Sequence, residues 1–189
     1  MDPLDALALA TSTFVDVLAQ VGDAQLHRPT PCDEWDVAAL IEHVGMGSEM
    51  AIALVDGASQ AEALAFRDRE FGGDDPVTAC RAAVDAQMAH MRTVTDWDAV
   101  VHHPIGDVPA SQLLGFRTGD LTLHAWDLAT AIGADTGLPE DLAVVVYESM
   151  LPMEPFIGTV GVFGEGPSGD VGDDATVQQR LLDLTGRRP

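Results

Sequence analysis

One recurring punctuation constrains this chain more than any other feature: an acidic residue, a proline directly after it, a run with apolar residues at helical spacing, and a closing glycine. Asp2-Pro3 opens such a run that continues to Gly22, and Asp75-Pro76 opens another that reaches about Thr95. Proline suits the first position of a helix, where its missing N–H costs nothing, and glycine suits the left-handed position just past the end. In the second of these runs Val77, Val84, Met88 and Met91 are spaced to share one face. Between the two, Asp36 is placed to cap "VAALIEHVGMGSEMAIALV", where Val37, Leu40, Ile41, Val44, Ile52 and Val55 form a stripe. A fourth run begins after Pro109 and closes at Gly133. Four helices of about 18 to 24 residues joined by polar turns predict an all-α fold, a four-helix bundle.

Two connections exceed tight turns: "DGASQAEALAFRDREFGGD" and "DWDAVVHHPIGDVPA". The second, with its Val-Val and Pro-Ile-Gly-Asp, is expected to hold a short extended segment. After Gly133, "LPEDLAVVVYESMLPM" predicts a fifth helix and "TVQQRLLDLTG" a short terminal one. The glycine- and aspartate-rich "GTVGVFGEGPSGDVGDD" between them predicts a surface loop. A chain of 189 residues is expected to form one domain, with the core bundle over about 2–133 and a C-terminal extension over about 134–189.

Charge narrows the partners. The 31 acidic residues outnumber 9 arginines, lysine is absent, and the formal charge is −22, a surface that nucleic acid and anionic membranes both repel. No apolar run in the sequence approaches the roughly 20 residues of a membrane span. The N-terminus "MDPLDALALATSTF" is acidic where an export signal needs basic residues. Two cysteines, Cys32 and Cys80, fit a reducing compartment, so the expected location is cytoplasmic. A homodimer is compatible with all of this.

The chemistry concentrates in the fourth run, "GDLTLHAWDLATAIG". At 100° per residue Arg117, Asp120, His124 and Asp127 fall within about an 80° sector of one helix face. Phe116 and Leu123 border that sector on one side; Leu114, Leu121, Leu128 and Ile132 border it on the other. A polar stripe between apolar flanks is expected to pack against neighbouring helices, where a carboxylate without a partner costs several kcal/mol. An Asp and a His at i and i+4 stand about 5 to 6 Å apart at Cβ, which lets both reach one metal ion. The same spacing is common for an ordinary ion pair.

A catalytic zinc takes three protein ligands and keeps one position for water or substrate, so a second imidazole is required. His43, mid-helix at the margin of its stripe, is the candidate, with Gly45 and Gly47 leaving room beside it. Two glycines inside a helix cost about 1 kcal/mol each relative to alanine, which points to close packing or ligand access. Asp127, one turn past His124, is placed to accept a hydrogen bond from a ligand imidazole and fix its tautomer. Arg117 is placed to pair with Asp120 or to meet an anionic substrate. His102 and His103 precede Pro104 in a loop and are candidates for an auxiliary ligand or proton relay; His27 and His90 give no pattern. Cys32 is read as buried and unreactive, Met88 and Met91 as core.

"RPTPCDEWDVAALIEHVGMG", followed some eighty residues later by "GDLTLHAWDLATAIG", resembles the metal-binding domain of the mycothiol-dependent maleylpyruvate isomerase family, within the DinB-like superfamily. The closing "FGEGPSGDVGDDATVQQRLLDLTGRRP" is similar to the tail of a short, single-domain branch of that family. The resemblance implies a four-helix bundle holding one divalent metal, zinc above all with nickel or iron(II) as alternatives. Its ligands are a His on the second helix and an acidic-x-x-x-His pair on a later one: His43, Asp120 and His124. Where the isomerase has Glu, this chain has Asp120, shorter by one methylene.

The resemblance also implies mycothiol or a related low-molecular-weight thiol as co-substrate, with sulfur at the open metal position. The isomerase carries an additional C-terminal domain, and the residues after Gly133 are too few for it. A thiol S-transferase acting on a small-molecule electrophile is therefore the more natural expectation than maleylpyruvate itself. Two rivals stay open: a non-catalytic bundle acting as a stress or binding protein, and a non-haem iron enzyme, since two His and a carboxylate also make an iron(II) triad.

Overall fold

The computed structural model describes residues 1–33, 35–157, 164, 166–172 and 174–188. In chain order the elements are α1 (Pro3–Leu18), α2 (Val37–Val55), α3 (Gln60–Ala65), α4 (Pro76–Met91), β1 (Val100–His103), β2 (Gly106–Pro109), α5 (Ala110–Ile132), α6 (Glu140–Met150) and α7 (Val177–Leu184). The acidic caps form: Asp2, Asp36 and Asp75 carboxylates accept from the N–H groups of Leu4, Ala39 and Thr78 at 2.9, 2.9 and 3.0 Å. Each satisfies a backbone donor that the helix leaves free at its start. Gly133 closes α5 in the left-handed region, φ 76°.

The four long helices surround one core. α1 packs on α5, α5 on α2, α2 on α4, and α4 back on α1. Phe14, Leu40, Ile41, Leu54, Leu121 and Leu128 are fully buried between them. Of the stripes read from periodicity, Val37, Leu40, Ile41 and Val44 of α2 and Val84, Met88 and Met91 of α4 lie in the core, while Ile52, Val55 and Val77 are only partly buried. α6 lies against α5 and α1, and α7 packs on α6.

Several boundaries differ from expectation. α1 stops at Leu18 rather than Gly22, because Gln20 and Val21 donate to Val17 and Leu18, a tighter i to i+3 pattern. α4 stops at Met91 rather than Thr95: the Thr93 N–H and hydroxyl both bond the His90 carbonyl, at 2.8 and 2.7 Å, and the residues that follow include β-branched Val94 and Thr95. Both helices have 16 residues, shorter than predicted.

The first long connection contains α3, started by a capping box in which Ser59 and Glu62 satisfy each other's backbone donors. The second holds the expected extended segment, as an antiparallel hairpin pairing Val101 with Val108 and His103 with Gly106. The fifth helix ends at Met150 and continues as a 3-10 turn, Leu151–Phe156. Most of the first half of the predicted loop "GTVGVFGEGPSGDVGDD" lies outside the described residues. One further correction concerns α2, which is long and apolar enough by composition to cross a membrane. Here its apolar side is spent on α4 and α5.

Candidate metal centre

Two helices supply the polar cluster. α5 carries Arg117, Asp120, His124 and Asp127 in one row, and α2 brings His43 across to meet Asp120 and His124. His43 Nε2 lies 3.3 Å from Asp120 Oδ1, and His124 Nε2 lies 3.5 Å from the same oxygen. Their donor atoms all fall within 4.8 Å of one another. Nitrogen and oxygen ligands held about 2.0 to 2.2 Å from one tetrahedral ion would be about 3.3 to 3.6 Å apart, so the donor types suit a divalent metal and the Asp120 oxygen stands at that spacing from each imidazole.

Arg117 sets the carboxylate. Its Nη1 donates to Asp120 Oδ2 at 2.8 Å, which leaves Oδ1 for the two imidazoles. Its other nitrogens donate to Gln87 Oε1 (2.7 Å), Ser48 Oγ (3.1 Å) and the Val44 carbonyl (3.3 Å), so the guanidinium is buried yet satisfied. Gly47 makes this possible: a Cβ there would stand 2.4 Å from Arg117 Nη1. Gly45 serves packing instead, its missing side chain replaced by the ring of Phe71, which a Cβ would meet at 2.2 Å. Neither glycine opens space at His43 itself.

Burial would push the Asp120 carboxyl up, but Arg117, His124 and His43 together outweigh it and hold it well below the usual range. Burial would likewise push His124 down; contacts with Asp120, Asp127 and Cys32 reverse this and raise it well above the ordinary imidazole value. The other ring nitrogen of His124 faces Asp127, with Nδ1 2.9 Å from Oδ2. Asp127 has no exposed side-chain surface, and its pKa is lowered to about 2 because hydrogen bonds from His124 and Arg187 overcome the cost of burial.

This chain belongs to the mycothiol maleylpyruvate isomerase N-terminal domain family, whose model matches residues 7–129. Two uncharacterized proteins of Mycobacterium tuberculosis, from different strains, are 38% identical to it over 144 residues, covering 76% of this chain and 75% of theirs. Its fold is that of the mycothiol-dependent maleylpyruvate isomerase crystal structure, with TM-score 0.61, 20% identity, and coverage of 79% of this chain and 68% of that one. A histidine-to-alanine mutant of that isomerase superposes with TM-score 0.63 over the same shares. The family match spans α1 to α5, the segment that contains the whole stripe on α5 and His43.

Within this member of the family, the structure brings His43, Asp120, His124, Asp127 and Arg117 into one cluster. It does not bring in the others. His102 bonds Asp107 across the hairpin (2.8 Å), His103 packs on Phe116, His27 pairs with Asp36 and His90 with Asp56.

Three participants escaped sequence reasoning. Cys32 is half-buried rather than buried, and its thiol donates to Asp127 Oδ2 at 3.3 Å and lies 4.0 Å from His124 Nδ1. The "TPC" turn places it there, with the Cys32 N–H bonding Thr30 Oγ1 and the Trp35 N–H bonding the Cys32 carbonyl. The same turn packs Trp35 at a tilt beside His43 and His124, at ring separations of 4.6 and 5.9 Å. Arg187, from beyond α7, reaches Asp127 with two hydrogen bonds, 2.6 and 2.8 Å. A buried Asp127 demands a cation, and that demand was the one available signal for it.

Proposed function

We propose that this protein binds one divalent metal, zinc foremost, through His43, Asp120 and His124, and acts with a low-molecular-weight thiol, mycothiol, as an S-transferase or isomerase on a small electrophile. The observation that carries the reading is the convergence of two imidazole nitrogens and one carboxylate oxygen from α2 and α5. The family supports the thiol: proteins similar to this one include an isomerase described as mycothiol-dependent. A metal bound by two imidazoles and one carboxylate keeps net positive charge and lowers the pKa of a coordinated thiol.

The chain's own residues prepare that chemistry. Arg117 holds Asp120 Oδ2 and so presents Oδ1 towards the imidazoles. Asp127 accepts from His124 Nδ1, which turns Nε2 towards Asp120. Trp35 packs its ring at a tilt against both imidazoles. The His43 side chain keeps 40% of its surface exposed, so the cluster is reachable from solvent past this residue.

Purified protein is expected to hold about one zinc per chain and to lose it on His43→Ala. Full occupancy in that variant would sink the assignment. Metal-replete protein with mycothiol and a bimane electrophile is expected to form the conjugate, and none should form in the variant. One observation favours a second reading, a non-catalytic bundle: Arg117 already neutralises Asp120, so the fold needs no metal to satisfy that charge. A stable metal-free protein that forms no mycothiol–bimane conjugate with or without added zinc would select it.

A further inference from the structure

The metal reading leaves one buried ion pair unexplained. Asp127 sits behind His124, and its Oδ2 receives Arg187 Nη2 (2.6 Å), His124 Nδ1 (2.9 Å) and the Cys32 thiol (3.3 Å) at once. Its Oδ1 receives Arg187 Nε at 2.8 Å. The fork of one guanidinium therefore engages both carboxylate oxygens, the arrangement that fixes the plane of a carboxylate as well as its charge. An imidazole ring turns easily about its last torsion, and its orientation is set by the partner of its second nitrogen.

The chain builds a dedicated device to bring Arg187 there. α7 ends in a Schellman turn: Gly186 takes φ 78°, its N–H bonds the Asp183 carbonyl at 3.0 Å, and the Arg187 N–H bonds the Leu182 carbonyl at 2.8 Å. Buried Leu181 and Leu182 anchor the helix. The adjacent arginine goes elsewhere: Arg188 pairs with Asp183 (3.1 Å) and the Gly166 carbonyl (3.1 Å), away from Asp127.

We propose that Arg187 is a positioning residue for the His43, Asp120 and His124 centre: by gripping both oxygens of Asp127 it fixes the carboxylate that aims His124 Nε2 at Asp120. The C-terminal segment, which lies beyond the residues matched by the family model, thereby completes a site whose proposed ligands all lie within them. This inference rests on the metal reading above, and the test separates the two.

The full chain is compared with Arg187→Ala, Arg187→Lys and Arg188→Ala by titration with zinc alone against a competing chelator. The proton resonance of His124 Nδ1–H is followed in the metal-free proteins. Arg187→Ala is expected to weaken zinc binding by about 10- to 100-fold, as loss of an outer partner does, and to broaden or shift that resonance. Arg187→Lys keeps the charge without the fork and should fall between, while Arg188→Ala should bind zinc as wild type does. Wild-type affinity with an unchanged resonance in Arg187→Ala overturns the proposal, and so does an equal loss in Arg188→Ala, which would mean general anchoring of the tail. If Arg187→Ala folds poorly, Arg187→Lys decides: wild-type affinity there overturns it. If wild-type protein takes up no zinc, the metal reading falls, and the resonance still decides whether Arg187 orients His124.

Discussion

The two ends of the polar stripe on α5 hold the same residue, an aspartate beside an arginine, and put it to different uses. At one end Asp120 is 23% exposed, held through one oxygen by an arginine of its own helix, with the second oxygen turned to two imidazoles. At the other, Asp127 is wholly buried and both its oxygens are committed, to an arginine 60 residues away and to His124. The number of free lone pairs, more than residue type or charge, separates a carboxylate that can ligate from one that orients a neighbour.

Alanine at the two positions should break the symmetry most strongly. Asp127→Ala strands a buried guanidinium and is expected to cost about 3 to 5 kcal/mol of stability. Asp120→Ala leaves Arg117 with Gln87, Ser48 and Val44, and should cost about 1 to 3 kcal/mol. Urea unfolding of the metal-free proteins measures both, and equal losses would contradict the division drawn here. For metal the order reverses. Asp120→Asn should reduce zinc affinity beyond the roughly 10- to 100-fold that an outer partner is worth, the range expected for Asp127→Asn.

Acid sharpens the same contrast. The Asp127 carboxyl has an ordinary value of 3.8 and is held down to about 2 in the folded protein. Its contribution, about 2 kcal/mol, is complete above 3.8 and is lost as pH falls through about 2. Asp127→Asn should remove that part of the acid-unfolding curve, which unfolding midpoints between pH 2 and 4 would reveal. Zinc uptake behaves differently: with His124 raised well above 6.5, binding must displace a proton and should weaken as pH falls below that raised value, earlier than for an ordinary imidazole. The smallest effect concerns the thiols. Burial pushes Cys80 up to about 12, while Cys32 is half-exposed, so iodoacetamide should modify one thiol in native protein and the second only on unfolding. Mass spectrometry identifies which.

Legibility in the sequence followed the range of the interactions. Asp120 and His124 share a helix face by spacing alone, and Asp-Pro openings and apolar stripes located the four bundle helices because caps and periodicity are local. The ends of α1 and α4 were misplaced because Thr93 and the residues after Leu18 tighten their turns through bonds that periodicity does not report. Ser59 and Glu62 mark α3 by a capping box, a signal that attention to long runs passes over. Cys32, Trp35 and Arg187 were illegible as site residues for a different reason. Turns place them, at Thr30 and at Gly186, against residues tens of positions distant, and no repeat in the chain records that meeting.

The Schellman turn carries a practical consequence. Arg187 follows the turn directly and grips Asp127 with two hydrogen bonds, so an affinity tag fused close behind it would tether foreign imidazoles to the segment that holds this carboxylate. Nickel resin would then offer a competing ion during purification. A tag ahead of Met1, or none, keeps the first metal measurement a property of the protein.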